Sequence, residues 1–241
     1  MNRTQLVEML HMQDRLNSAV SPTWLTDGHA WHRALMMESA EALDHYGWKW
    51  WKKHEAPDVE QIRLELVDIW HFAMSLVLSL NAGEHALTTE MLLGFFEKLE
   101  LNPDEYGSVT DVDDRGLFDM LAGTAGASQM FNGGAFLELM KRFGLTWESL
   151  YQLYMAKNVL NMFRQANGYK DGTYVKTWDG LEDNVILMGI IKVNPAASAT
   201  KLLNTVFASW VQDLDLSVES VSADGAALRM RLSDKLCRDN G

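Results

Sequence analysis

Two acidic pairs carry the most chemistry in this sequence: Glu38 with Glu41, and Glu65 with Asp68, each spaced i, i+3. On an α-helix that spacing projects both carboxylates from one face, and two such helices packed together can converge four of them. Oxygen-only ligand sets of this kind suit a hard cation, Mg²⁺ before others. Position says more than spacing. Trp31, Leu35, Glu38 and Ala42 fall on one helical line, which puts Glu38 on an inward stripe, and Asp68 and His71 sit inside LVDIWHFAMSLVLSL, a run apolar nearly all round. A carboxylate buried alone would take up a proton, whereas several gathered around a cation stay ionised. Taken singly, each pair also reads as an ordinary solvated helix face.

A second constellation lies further on. From Trp147 to Ala166, Leu153, Ala156, Leu160 and Phe163 keep core spacing, while Lys157, Asn161 and Arg164 form another line flanked by Asn158 and Gln165. The helix leads into Gly168, Tyr169, Lys170, Asp171, Gly172 and Tyr174, a turn whose glycines allow close backbone approach to a ligand. Lys and Arg donors can neutralise phosphate oxygens. Cations in one segment and carboxylates in two others are what a metal-bridged polyphosphate site requires, although the line of Lys157, Asn161 and Arg164 alone reads equally as a solvated face.

The elements that must position these residues are helices. Four prolines and long runs of helical periodicity separated by short Gly, Asn and Asp clusters point to an all-α fold, a helical bundle core with paired carboxylate-bearing helices. Helices are expected at 3–18, 28–47, 58–81, 88–99, 115–130, 134–142, 147–166 and 198–213. Pro57 with Asp58 starts the third, Thr146 caps the seventh, and Asn167-Gly168 ends it. Leu216 to Leu232 alternates loosely around Asp224-Gly225, a weak hairpin signal. Residues 1–194 are expected to form the catalytic domain, and 195–241 a poorly assigned C-terminal extension packed on the same domain.

Composition bounds the function. The 241 residues are 47% hydrophobic and 22% charged, enough for a large core, and the formal net charge of -12 argues against a general affinity for nucleic acid or an anionic membrane. A lone cysteine, Cys237, excludes an intramolecular disulfide and suits a reducing cytosol. The N-terminus is amphipathic and lacks a signal layout, and no stretch reaches the roughly 20 apolar residues of a membrane span. The expectation is a cytoplasmic protein, in the host cytosol if viral. The GTAGAS run at Gly123 lacks the lysine of a phosphate-binding loop and reads as close helix packing. His29 and His32 lie three apart without a partnering cluster, which argues against zinc.

Four blocks in order carry a family resemblance: LHMQDRLN followed by Trp24, ESAEALDHYGWKWWK from Glu38, ELVDIWHF from Glu65, and KNVLNMFRQANGYKDGTY from Lys157. Over residues 11 to about 184 the chain resembles the dimeric all-α dUTPases of the all-α NTP pyrophosphatase superfamily. It departs from the family at Ala166, where an acidic residue often follows the FRQ of the fourth block. The resemblance implies a homodimer that hydrolyses dUTP, and dUDP as well, to dUMP. It implies two or three Mg²⁺ ions on Glu38, Glu41, Glu65 and Asp68, with Glu38 also polarising the attacking water. Gln13, Asn17 and His71 become base-recognition residues, and Phe72 a wall near the sugar or base. Lys157, Asn158, Asn161, Arg164, Tyr169 and Lys170 would hold the base edge or the phosphates, and Trp24, Trp48 and Lys49 complete the substrate-binding set.

Elementary chemistry agrees with part of this. Gln13 and Asn17, at i, i+4, offer two amides on one face, and an amide can accept from N3–H of uracil while donating to its carbonyl oxygens. The plainer readings are a polar helix face for the amides, a satisfied core histidine for His71, and core or interface for Trp48, Trp50 and Trp51. Two rival functions stay open: a pyrophosphatase for dCTP or another NTP, and a nucleotide-responsive binding protein.

Overall fold

The run from Leu66 to Leu80 is apolar nearly all round, and it lies in a helix that buries thirteen of its residues. A computed structural model describes residues 1–53, 56–102, 109–178, 180–193, 217–221 and 228–231. It is all-α: helices α1 (Arg3–Val20), α2 (Trp31–Tyr46), α3 (Val59–Leu80), α4 (His85–Leu101), α5 (Asp114–Ser128), α6 (Gly133–Arg142), α7 (Trp147–Ala166) and α8 (Asp183–Val193) dominate the described residues. Two short antiparallel ribbons accompany them, β1 (Thr177–Trp178) with β2 (Leu181–Glu182) and β3 (Ser217–Val221) with β4 (Leu228–Arg231). The chain divides into two compact units, residues 1–154 and 155–241, with the division falling inside α7.

In the first unit α3 packs against α1, α2, α4 and α6, while α5 packs on α2 and α6. Caps fix where the helices begin. Asn2, Asp58, Asp113 and Asn132 accept backbone N–H bonds from the first turns of α1, α3, α5 and α6. At the start of α7, Thr146 and Ser149 cap reciprocally, each side-chain oxygen accepting the other's backbone N–H at 2.8 and 3.1 Å. The backbone N–H of Asp58 donates to the carbonyl of His45, which ties the start of α3 to the end of α2.

The core is aromatic at its densest point. Trp70 of α3 stacks on Phe136 at 5.7 Å and meets Phe96 and Trp147 edge-on. The close packing expected of the GTAGAS run holds at Gly126, where an added Cβ would lie 3.1 Å from Met36, and not at Gly123, which has open space. In the second unit α7 ends as expected. Gly168 takes φ +86, and the N–H of Tyr169 returns to the carbonyl of Arg164, a bond of the Schellman type.

Strands β3 and β4 occupy the stretch where alternation suggests a hairpin. Its Asp224-Gly225 turn, the helix expected at 198–213 and Cys237 all lie outside the described residues. Strands β1 and β2 and helix α8 occur where no element is expected from periodicity. Among the described residues no helix is long and apolar enough to cross a membrane.

Candidate functional site

Helices α2 and α3 bring three of the four acidic residues together. One carboxylate oxygen from each of Glu38, Glu65 and Asp68 lies within 4.8 Å of the others. Glu65 is buried at 9% exposure, and Glu38 and Asp68 are half-buried. Glu41 is exposed, on the α2 face that carries Glu38. The cluster is electrostatically costly. Burial first, then the neighbouring charges of Asp68, Glu65 and Glu41, push the Glu38 carboxyl up to about 9. His45, one turn beyond Glu41, stands with Nε2 3.5 Å from Glu65 Oε1, a neighbour that the acidic spacing does not reveal.

Further along the same face of α3 the chemistry changes from charge to amide. Gln13, Asn17, His71, Ser75 and Tyr154 are buried in one polar network. Gln13 Nε2 donates to Asn17 Oδ1 at 3.0 Å and to Ser75 Oγ at 2.9 Å, and Asn17 Nδ2 donates to the same hydroxyl at 3.0 Å. Ser75 passes its own proton to the carbonyl of His71 at 3.0 Å. On the other side of the amide, Gln13 Oε1 lies 2.7 Å from His71 Nδ1, so that ring nitrogen carries the hydrogen. The Tyr154 hydroxyl shares one proton between the carbonyl of Met9 at 2.9 Å and Gln13 Oε1 at 3.1 Å. All four bonding positions of the Gln13 amide are therefore taken up within the protein, which gives it an orienting place rather than an open edge. Ser75 and Tyr154 are members that the sequence reading missed. Ser75 had a signal, a hydroxyl one turn after His71 in an apolar helix.

Aromatic rings extend from this network. Phe72 leans on Trp31 at 6.3 Å, and Trp31 meets Trp24 edge-on at 5.9 Å. Trp24 is buried and donates its indole N–H to Asp14 at 3.0 Å. Trp48 and Lys49 instead form a partly exposed group after α2, both donating to Asp44.

In the second unit the residues of the basic line divide. Lys157, Asn158 and Arg164 are buried, Asn161 is half-buried, and Tyr169 and Lys170 are exposed. Arg164 forms a two-pronged ion pair with Asp183, Nε to Oδ2 at 2.8 Å and Nη2 to Oδ1 at 2.7 Å, and Nη1 donates to Asn161 at 3.0 Å. Burial alone would raise the Asp183 carboxyl, but the Arg164 guanidinium and the Tyr174 hydroxyl hold it below the usual range. Lys157 Nζ donates to Asn184 Oδ1 at 3.0 Å, an oxygen that also lies 3.3 Å from Arg164 Nη2. Asp183 and Asn184 were invisible to motif reasoning because they follow the matched blocks.

The arrangement offers, in the first unit, oxygen ligands for a hard cation beside a fixed donor and acceptor pattern, and in the second a set of oriented cations. The model of a known family, described as dUTPase, matches residues 5–169 of the chain. No curated protein matches it.

Proposed function

Since this chain belongs to the all-α dUTPase family and is a dUTP diphosphatase, we propose that it hydrolyses dUTP, and dUDP as well, in a Mg²⁺-dependent reaction that yields dUMP. The observation that carries the metal reading is the meeting of Glu38, Glu65 and Asp68 oxygens within 4.8 Å of one another. The donor set fits the ion. Crowded, half-buried carboxylates raise the cost of their own ionisation, and a hard divalent cation bound by oxygen relieves it. Glu41, on the same face of α2, extends the set, which can accommodate two or three ions.

When bound, Mg²⁺ supplies positive charge that offsets the negative charge developing on the phosphate chain. The rest falls to the chain's own residues. Glu38 accepts a hydrogen bond from the attacking water at a carboxylate oxygen and draws off its proton as the water adds to phosphorus. Gln13 holds His71 and Asn17 in one orientation for the uracil edge, and Phe72 with Trp24 walls the sugar and base. Trp48 and Lys49 close the substrate-binding set. Lys157, Asn158, Asn161, Arg164, Tyr169 and Lys170 hold or order the phosphates, and pyrophosphate leaves from dUTP, phosphate from dUDP. We further propose that residues 1–194 are the catalytic domain of a cytoplasmic homodimer, with residues 195–241 an extension of it.

The test is a panel of dUTP, dUDP, dCTP, dTTP and ATP with the purified protein, with and without Mg²⁺, read by pyrophosphate or phosphate release. Turnover confined to the deoxyuridine nucleotides and abolished by chelation supports the reading. Equal cleavage of dCTP would replace it with a broader NTP pyrophosphatase, and undiminished turnover in chelator would remove the metal.

A further inference from the structure

The first residue of α2 is Trp31, two turns before Glu38 on the same helical line and about 10 Å from it at the standard rise. Its ring leans on Phe72 of α3, while Glu38 meets Glu65 and Asp68. One seam between α2 and α3 therefore carries carboxylates at one level and aromatic rings two turns away. Trp31 and Phe72 are half-buried. Trp24, which meets Trp31 edge-on, is buried and pinned through Asp14, whose other oxygen lies 2.9 Å from His85 Nε2.

The indole nitrogens of this protein divide by partner. Those of Trp24, Trp48 and Trp147 each donate to a carboxylate. Those of Trp31 and Trp70 are buried with no hydrogen-bond partner among the described residues. Trp70 is wholly enclosed, with Phe96, Phe136 and Trp147 around it, so no ligand can reach it. Trp31 keeps exposed surface. A buried donor left unpaired is costly, and at Trp31 a bound molecule can supply the acceptor.

From this we infer that Trp31 is a nucleoside-binding residue, whose ring completes the wall between Phe72 and Trp24 and whose indole N–H donates to an oxygen of the bound deoxyuridine. A flat, neutral base suits aromatic walls, and the phosphates belong two turns away with the carboxylates. The acceptor is an oxygen because uracil in a nucleoside has no nitrogen free to accept: N1 carries the sugar and N3 a hydrogen. The inference rests on the reading above that this seam takes a deoxyuridine nucleotide.

Deoxyuridine is the probe, titrated by calorimetry without metal. Trp31→Phe keeps an aromatic ring, removes the N–H and should bind deoxyuridine about tenfold more weakly. Its KM for dUTP should rise by more than its kcat falls. With 2′,3′-dideoxyuridine the penalty should vanish if the acceptor is the 3′-hydroxyl and persist if it is a carbonyl of the base. Because the smaller ring also alters packing, the wild type labelled with ¹⁵N at its indoles provides a second measurement. The Trp31 N–H resonance, assigned by through-space contacts to Phe72 and Trp24, should move when deoxyuridine binds, while that of Trp70 stays. A Trp31 resonance that ignores saturating deoxyuridine overturns the inference and leaves the N–H to the ring of His29 or Trp24. Wild-type affinity in Trp31→Phe overturns it too. If the wild type hydrolyses dUTP and either of these results is found, the inference fails alone. If it neither hydrolyses dUTP nor binds deoxyuridine, the reading beneath it fails as well.

Discussion

The carboxylate cluster and the amide network are neighbours on α3, and they are electrostatic opposites. Around Glu65 and Asp68 like charges crowd within 4.8 Å, and the Glu38 carboxyl is driven up to about 9. Around His71 and Ser75 the polar atoms answer one another at 2.7 to 3.0 Å, with Gln13 at the hub. One region gathers like charges that a cation such as the proposed Mg²⁺ would relieve. The other has settled its arrangement before any visitor arrives, as preorganised recognition requires. The proposed site, which would bind both a metal-bridged phosphate chain and a neutral base, would divide the work in this way.

The largest expected effect would break the network's half of the comparison. A fixed donor and acceptor order made for uracil leaves buried groups unpaired when cytosine enters, so kcat/KM for dUTP should exceed that for dCTP by about 10⁴. Thymine should be refused as well, because its methyl group needs room beside a close aromatic wall. Gln13→Ala, which frees His71 and Asn17 from their anchor, should narrow the uracil preference, as competition kinetics would reveal. Equal rates for dUTP and dCTP in the wild type would mean that the network is core and nothing more.

Next comes the cluster's half. Glu38→Gln should lower kcat by about 10² or more with unchanged helicity by circular dichroism, and a fully active variant would remove Glu38 from the proton path.

The same variant sharpens the contrast when stability is measured in chelator. The folded-state pKa of Glu38 lies above its unfolded value, so between the two the folded protein holds a proton that the unfolded chain gives up, and stability falls as pH rises from about 5 towards about 9. After allowance for solvent screening the loss should be on the order of 3 kcal/mol, or about 6 °C or more in Tm. Glu38→Gln should flatten that slope, and added Mg²⁺ should do the same for the wild type. Parallel slopes for wild type and variant would show that the cluster carries no such strain.

The smallest effect belongs to Ser75→Ala, which removes an acceptor shared by Gln13 and Asn17 and should cost about 1–2 kcal/mol in denaturant unfolding. No change in the unfolding midpoint would show that the hydroxyl is dispensable.

Much of this was legible because helical periodicity and capping are local. Asp58 and Thr146 stand where caps are expected, and Glu38, Glu65 and Asp68 converge because their positions on apolar stripes already pointed inward. What sequence could not supply is which polar atoms meet. Gln13 looked like an open amide edge until its neighbours Ser75 and Tyr154, 62 and 141 residues away, were seen to occupy it. That Arg164 pairs with Asp183 is likewise disclosed only by the fold. The β1–β2 ribbon has two residues per strand, too few to alternate, although the Asp179-Gly180 dipeptide between Trp178 and Leu181 is a recognised turn signal.

Because Glu65, Asp68, His71 and Ser75 are mounted on one unbroken helix, α3 also serves as a ruler. Ten residues separate Glu65 from Ser75, about 15 Å of helix at the standard rise, and that length is set by backbone geometry rather than by any loop. One residue inserted between Asp68 and His71 would turn everything beyond it by about 100° and carry the amide pattern off the face that bears the carboxylates. Over evolutionary time the connections between helices can lengthen or shorten, whereas this stretch of α3 can change its letters but not their number.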